Sequence, residues 1–355
     1  METNFSLGQC LWKWQKKMKN LNYLYKGNKR IKFIPSLVAI KKHYMKNLAI
    51  VFLILTILSC NKEDNETEAP IIDAQNVSLL VAPIQTDVNF LSTEEEHYVV
   101  RNNQISLNKL LLFIGGSFST PENYSIICDY SATIGLDVIS LSYPNNIPAA
   151  TLGSSSDQFV FDNYRDEICF GNPVSDAVDV NALNSIQTRA IKLLEYLHLE
   201  YPEQNWNQYL TASNTLRWNK IIVSGHSQGS GHACYLGKKN LVDRVVMFSG
   251  PNDYSTFYNE PANWISEIGD TPLDKQFSLL HTQDQIVEFS NQVEILRSLG
   301  LLSSTETPIL ADDLITPYSN SNTLSLNISA ISNHNSPIGN NSILPEIWKY
   351  FFTCD

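Results

Sequence analysis

Lys220-Ile221-Ile222-Val223-Ser224-Gly225-His226-Ser227-Gln228-Gly229-Ser230-Gly231-His232-Ala233 is the stretch on which the fold turns. A short apolar run rich in β-branched residues reads as a buried strand, and the small-residue run after it as a helix lying close to a sheet. Between them stands Gly225-His226-Ser227-Gln228-Gly229, a G-x-S-x-G pattern that acquires meaning only with a strand before it and a helix after it. So tight a turn leaves no room for side chains at its flanks, hence Gly225 and Gly229. Ser227 then sits at a helix N-terminus, where backbone N–H groups and the helix dipole favour developing negative charge.

Outward from this turn, strands alternate with helices. The patterning predicts strands at residues 77–81, 96–100, 107–114, 137–141, 220–224, 244–248, 276–280 and 323–328. Helices are expected at 121–135, 184–201, from the turn to 239, 285–299 and 343–352. The strongest is 184–201, where Ile186, Ala190, Leu193, Leu194 and Leu197 recur at helical spacing until Pro202. Leu110-Leu111-Leu112-Phe113-Ile114 is apolar throughout, as a strand covered on both faces must be, and it ends in Gly115-Gly116-Ser117. Such alternation implies an α/β protein, a mostly parallel sheet with helices on both faces. Residues 147–182 read as loop-rich. Their aromatics, Phe159, Phe161, Tyr164 and Phe170, serve either as a partial lid over an apolar pocket or as core packing.

A serine hydroxyl is a poor nucleophile near neutral pH and needs a base that is itself oriented by an acid. Of the seven histidines, only His334 follows the last predicted strand, in a polar loop. His226 and His232 flank the serine and are read as packing or pocket-lining residues, and His281 as structural. For the acid, Asp284 lies just beyond the strand at 276–280, and Asp253 beyond the preceding strand is its competitor. Asp312 and Asp313 read as a solvated pair. A tetrahedral intermediate also needs backbone donors for its oxyanion. Gln228 N–H follows the nucleophile directly; the second donor falls to Ser117 or Gly116.

These residues resemble the α/β-hydrolase superfamily of esterases and lipases from about residue 108 to the end. A narrower likeness, to a bacterial branch of that superfamily, is carried by Arg165-Asp166-Glu167-Ile168 with Phe170-Gly171, by Arg217-Trp218, by the stretch from Gly225 to Ala233, and by Val245-Val246-Met247-Phe248-Ser249-Gly250-Pro251-Asn252-Asp253. Ser230 departs from the pattern, where glycine is expected. The resemblance implies an α/β-hydrolase fold and a serine hydrolase. The chemistry read from Ser227, His334 and Asp284 is hydrolysis of a carboxylic ester through an acyl-enzyme, without a cofactor. A peptidase, thioesterase or acyltransferase would use the same three residues. From another class, a non-catalytic surface lipoprotein using the scaffold for binding is the alternative.

The N-terminus reads as an address. Met45-Lys46-Asn47 precedes the apolar run 48–58, and Ile57-Leu58-Ser59-Cys60 resembles a lipobox, so residues 45–59 are expected to be a lipoprotein signal and Cys60 the acylated residue. Residues 1–44 read as a mis-called extension, 60–75 as an acidic tether and 76–355 as the catalytic domain. The expected location is the outer membrane of a bacterium, on its periplasmic face or at the cell surface, with membrane contact through the lipid anchor. Eleven of the 25 Lys/Arg precede Cys60 against a single acid, Glu2, which leaves the rest with a net charge of −21. That acidity argues against nucleic acid as a partner and leaves a small-molecule or lipid-like ester as the expected substrate. Cys128, Cys169, Cys234 and Cys354 allow three disulfide pairings, among which sequence does not choose. No C-x-x-C or His/Cys cluster suggests zinc.

Overall fold

In the computed structural model, residues 75–90 and 95–354 are described. The extension 1–44, the signal 45–59, Cys60 and the tether up to residue 74 lie outside them. Nine strands form one sheet, in the order β1 (Asn76–Val81), β2 (His97–Asn102), β4 (Asp137–Leu141), β3 (Leu110–Ile114), β5 (Ile221–His226), β6 (Arg244–Phe248), β9 (Gln276–His281), β11 (Thr323–Leu326), β10 (Ile309–Leu310). Strand β2 runs antiparallel to β1 and β4, and every other pairing is parallel. β7 (Tyr254–Ser255) and β8 (Glu260–Pro261) make a separate two-stranded pair. This strand order, with a parallel run crossed by helices, is the α/β-hydrolase fold.

Parallel strands must be covered on both faces, and β3 shows how the sequence achieves this. Leu110, Leu112 and Ile114 face one core and Leu111 and Phe113 the other, all fully buried. On the first face lie α2 (Val160–Phe170), α3 (Ile186–Glu200), α4 (Gln228–Lys239) and α5 (Phe289–Leu299). On the second lie α1 (Ser125–Thr133) and α6 (Leu344–Thr353). At roughly 25 cal/mol per Å² of apolar surface, burial of this kind is the main force holding helices to the sheet.

Two expectations are corrected here. Residues 147–182 contain α2, and its Phe161 and Tyr164 are buried in the core, with Phe170 packed against it, rather than forming a lid. The helical spacing of Phe161, Tyr164, Arg165 and Ile168 was hidden because an arginine stands within the apolar stripe. The two-residue edge strand β10 is an addition that the sequence did not suggest. Cys128, Cys169, Cys234 and Cys354 are all unpaired thiols, so none of the three disulfide pairings is formed.

Candidate active site

At the carboxyl end of β5, Ser227 has φ 55° and ψ −121°, a conformation that side chains rarely adopt and that costs about 1–3 kcal/mol. Its surroundings leave no alternative. A Cβ on Gly225 would lie 2.2 Å from Gly229 O, and one on Gly229 would lie 1.9 Å from Ile114 O. Ser227 N donates to Phe248 O at 2.9 Å, tying the turn to β6. The Ser230 departure has a use: its hydroxyl donates to Ser227 O at 2.6 Å. Helix α4 starts at Gln228, with no acidic residue in its first turn to neutralise its positive end beside Ser227, while Lys238 and Lys239 in its last turn complement the dipole.

Loops after β9 and β11 bring the acid and base together. His334 Nδ1 lies 2.7 Å from Asp284 Oδ2. Ile286 and Val287 amides donate to Asp284 Oδ1 at 2.8 and 3.0 Å, and Gln292 Nε2 to Oδ2 at 3.2 Å. Burial alone would raise the Asp284 pKa. The hydrogen bond and charge interaction with His334, together with the two amides, outweigh it and hold this carboxyl below its ordinary value. The Nδ1 of His334 is thus committed to Asp284, and its imidazole lines the same cleft as Ser227.

Asp253, the competing acid, is elsewhere. It is fully buried and accepts two bonds from Arg165, from Nε at 2.9 Å and Nη2 at 2.5 Å, plus one from Trp264 Nε1 at 2.9 Å. Burial works against the Arg165 charge, but Asp253 more than compensates and holds the guanidinium pKa above its ordinary value. Arg165 Nη1 also donates to Gln228 O at 2.8 Å, and the guanidinium packs where a side chain at residue 231 would have to go. With its lone pairs occupied, Asp253 braces the first turn of α4 from behind and does not reach His334.

The oxyanion donors are narrowed as well. Gly116 N–H donates to Tyr124 Oη at 2.7 Å and is therefore spent, a correction to its reading as a donor into the cleft. Neither Gln228 N–H nor Ser117 N–H has a protein acceptor among the described residues. The side chain of Gln228 fixes their separation, since its Oε1 accepts from Ser117 Oγ at 2.7 Å and from Ala149 N at 3.0 Å. Asn145 secures the same loop from outside, its Nδ2 donating to Gly116 O at 3.0 Å and Ser119 O at 2.9 Å.

His226 links the two halves of the site. Its Nε2 lies 3.0 Å from the His334 carbonyl, which can only accept, so Nε2 carries the proton and Nδ1 faces Tyr124 Oη at 3.4 Å. Burial, then proximity to His334, pushes its pKa down to about 3 and keeps the ring neutral. Ser249 Oγ donates to the same His334 carbonyl at 2.6 Å. The run Gly116, Tyr124, His226, His334 therefore couples the loop after β3 to the loop carrying His334 through buried bonds. Of these supports, His226 was read from sequence as packing or pocket-lining, and it does line the cleft; the bonding roles of Tyr124, Asn145 and Ser249 were not read from it. His281 is structural as expected, its Nε2 2.8 Å from Ile328 O. Asp313 is exposed and Asp312 partly so, as expected, and Asp312 also accepts from Asn327 N at 3.0 and 3.1 Å. Among the described residues no group of His, Cys, Asp and Glu is arranged to hold a metal.

Fold and site together define an α/β-hydrolase fold with a serine at the strand-to-helix elbow. No protein-family model matches the chain, and no curated protein does. Among solved structures it is similar to a truncated carbohydrate esterase from gut microbiota, with a TM-score of 0.42 and 14% identity over 80% of this chain and 98% of that one. It is also similar to esterase 2 of Thermogutta terrifontis (TM-score 0.40, 12% identity, 78% and 91% covered). A third is a dienelactone hydrolase from Anabaena variabilis (TM-score 0.38, 13% identity, 78% and 98% covered).

Proposed function

We propose that this protein is a serine hydrolase that cleaves carboxylic esters through an acyl-enzyme. The observation that carries the reading is the 2.7 Å pairing of His334 Nδ1 with Asp284, beside a serine on a strained elbow. In this scheme Ser227 Oγ attacks the ester carbonyl carbon as its proton passes to His334 Nε2. The resulting oxyanion is held by the amides of Gln228 and Ser117, each donor being worth about 3–4 kcal/mol in comparable sites. Collapse breaks the bond to the alkoxy oxygen, which takes the proton from Nε2. Water then loses a proton to Nε2 and attacks the acyl carbon, and the addition product collapses as Nε2 returns that proton to Ser227 Oγ, releasing the free acid. Asp284 stays ionised throughout and stabilises the imidazolium.

A fluorophosphonate probe tests the nucleophile: labelling of the wild type and none of Ser227→Ala is the expected result. A folded wild type that takes no label would instead favour the non-catalytic binding scaffold. Release of p-nitrophenol from p-nitrophenyl esters, without release of p-nitroaniline from peptide p-nitroanilides, separates ester hydrolysis from peptidase activity.

We also propose that Cys60 carries a lipid anchor in an exported bacterial lipoprotein, on the strength of Ile57-Leu58-Ser59-Cys60 and the apolar run before it. Incorporation of labelled palmitate into the wild type, and its loss in Cys60→Ala, is the measurement.

A further inference from the structure

The cleft over Ser227 encloses about 630 Å³. Among the described residues lining it there is no Lys, Arg, Asp or Glu, so it offers no counter-charge to an ionised substrate group. Burying a carboxylate there is costly, because only neutral donors such as Asn123, Asn252 and Asn335 replace the water it loses and no cation pairs with it. The apolar lining is contributed in part by Phe118, Ile126 and Ile286, which stand at the rim with 70%, 40% and 66% of their surface exposed.

Phe118 is the unusual member. It follows Ser117 directly and has φ 60°, the left-handed region that a bulky residue avoids and that Asn or Gly occupies readily. Folding gains little from this phenylalanine, since most of its ring is in solvent. The loop nevertheless holds it firmly, with Phe118 N donating to Asn145 O at 3.2 Å while Asn145 Nδ2 grips Gly116 and Ser119. A strained backbone that keeps an aromatic ring on the rim of a cleft is accounted for by contact with what enters the cleft.

We infer that Phe118 is the specificity-determining residue of this cleft, and that the cleft takes esters whose variable group is uncharged and apolar. This rests on the ester-hydrolase reading above. Phe118 would cover the apolar group at the moment the carbonyl oxygen reaches the Ser117 amide, so its contribution is felt in kcat/KM for longer chains.

The experiment compares p-nitrophenyl acetate, butyrate and hexanoate with the anionic p-nitrophenyl hemisuccinate, using wild type, Phe118→Asn and Ile286→Lys. The wild type should prefer hexanoate to acetate, and butyrate to hemisuccinate by about tenfold or more, the scale on which apolar pockets discriminate. In Phe118→Asn the hexanoate-to-acetate ratio should shrink while the melting temperature holds or rises, because Asn accepts the positive φ. Ile286→Lys should raise hemisuccinate relative to butyrate. Equal use of butyrate and hemisuccinate by the wild type, or an unchanged chain-length ratio in Phe118→Asn, overturns the inference and leaves ester hydrolysis standing. A wild type that cleaves none of the four esters fails the ester reading itself, and this inference with it.

Discussion

Arg165 and Asp253 form a bidentate ion pair with no exposed surface on either side chain, immediately behind the helix that begins at the nucleophile elbow. Removing one partner of such a pair leaves the other charge buried and alone, which is more damaging than never having had the pair. Asp253→Ala should therefore lower the unfolding free energy by about 3–5 kcal/mol, measured by urea denaturation. A variant that remains stable but loses its activity would instead return Asp253 to the role of acid.

Asp284→Asn is expected to do the reverse. Asn can still accept from the Ile286 and Val287 amides, so the fold should survive with an unchanged circular dichroism spectrum. Without the carboxylate, His334 loses the partner that fixes its tautomer and stabilises its charged form, and kcat should fall by about 10⁴, as in other triads. Steady-state kinetics on a p-nitrophenyl ester reads this directly. A loss of less than tenfold would remove Asp284 from the machinery.

The buried bonds through Tyr124 and His226 should behave as a unit. His226→Gln and Tyr124→Phe are each expected to reduce kcat about tenfold, the worth of one well-placed hydrogen bond, with KM little changed. Because both act on the same two loops, the double variant should lose little more than the worse single one. Full additivity would mean that the two residues act separately.

Acid stability has a defined sign. His97 and His226 both have pKa values pushed down to about 3, chiefly by burial. Each binds its proton readily only after unfolding, at the ordinary histidine value of about 6.5. Their contribution to stability is therefore complete above that value and is lost as pH falls towards about 3. Between pH 6 and pH 4, His97→Gln and His226→Gln should each reduce the pH slope of unfolding free energy by about 1.4 kcal/mol per unit. Urea midpoints over that interval provide the test, and a slope unchanged from wild type would show that the histidine is already charged in the folded protein.

The elbow and the succession of the longer strands along the chain were legible in the sequence because both depend on local chemistry. Gly225, Gly229 and the apolar run at 110–114 announce themselves without reference to any distant residue. His334 was found by chain order alone. What was hidden depends on partners far apart in the chain. Arg165 stands in a stretch that carries the likeness, but its partner Asp253, 88 residues away, shows only in the folded chain. Ser117 and Gly116 were indistinguishable as donors because their difference lies in Tyr124, whose hydroxyl takes one amide and leaves the other. Gln228 was valued for its backbone, and only the folded loops show that its side chain sets the gap between two amides.

The last helix, α6, contributes Trp348, whose indole Nε1 donates to Pro337 O at 2.9 Å, three residues beyond His334. Strand β11, just before that loop, pairs with β9, which leads into Asp284. During synthesis, then, the serine and its elbow are translated long before the residues that would arm them. A nascent chain carrying every strand up to β9 holds the elbow without the His334–Asp284 pair, which needs the loops after β9 and β11.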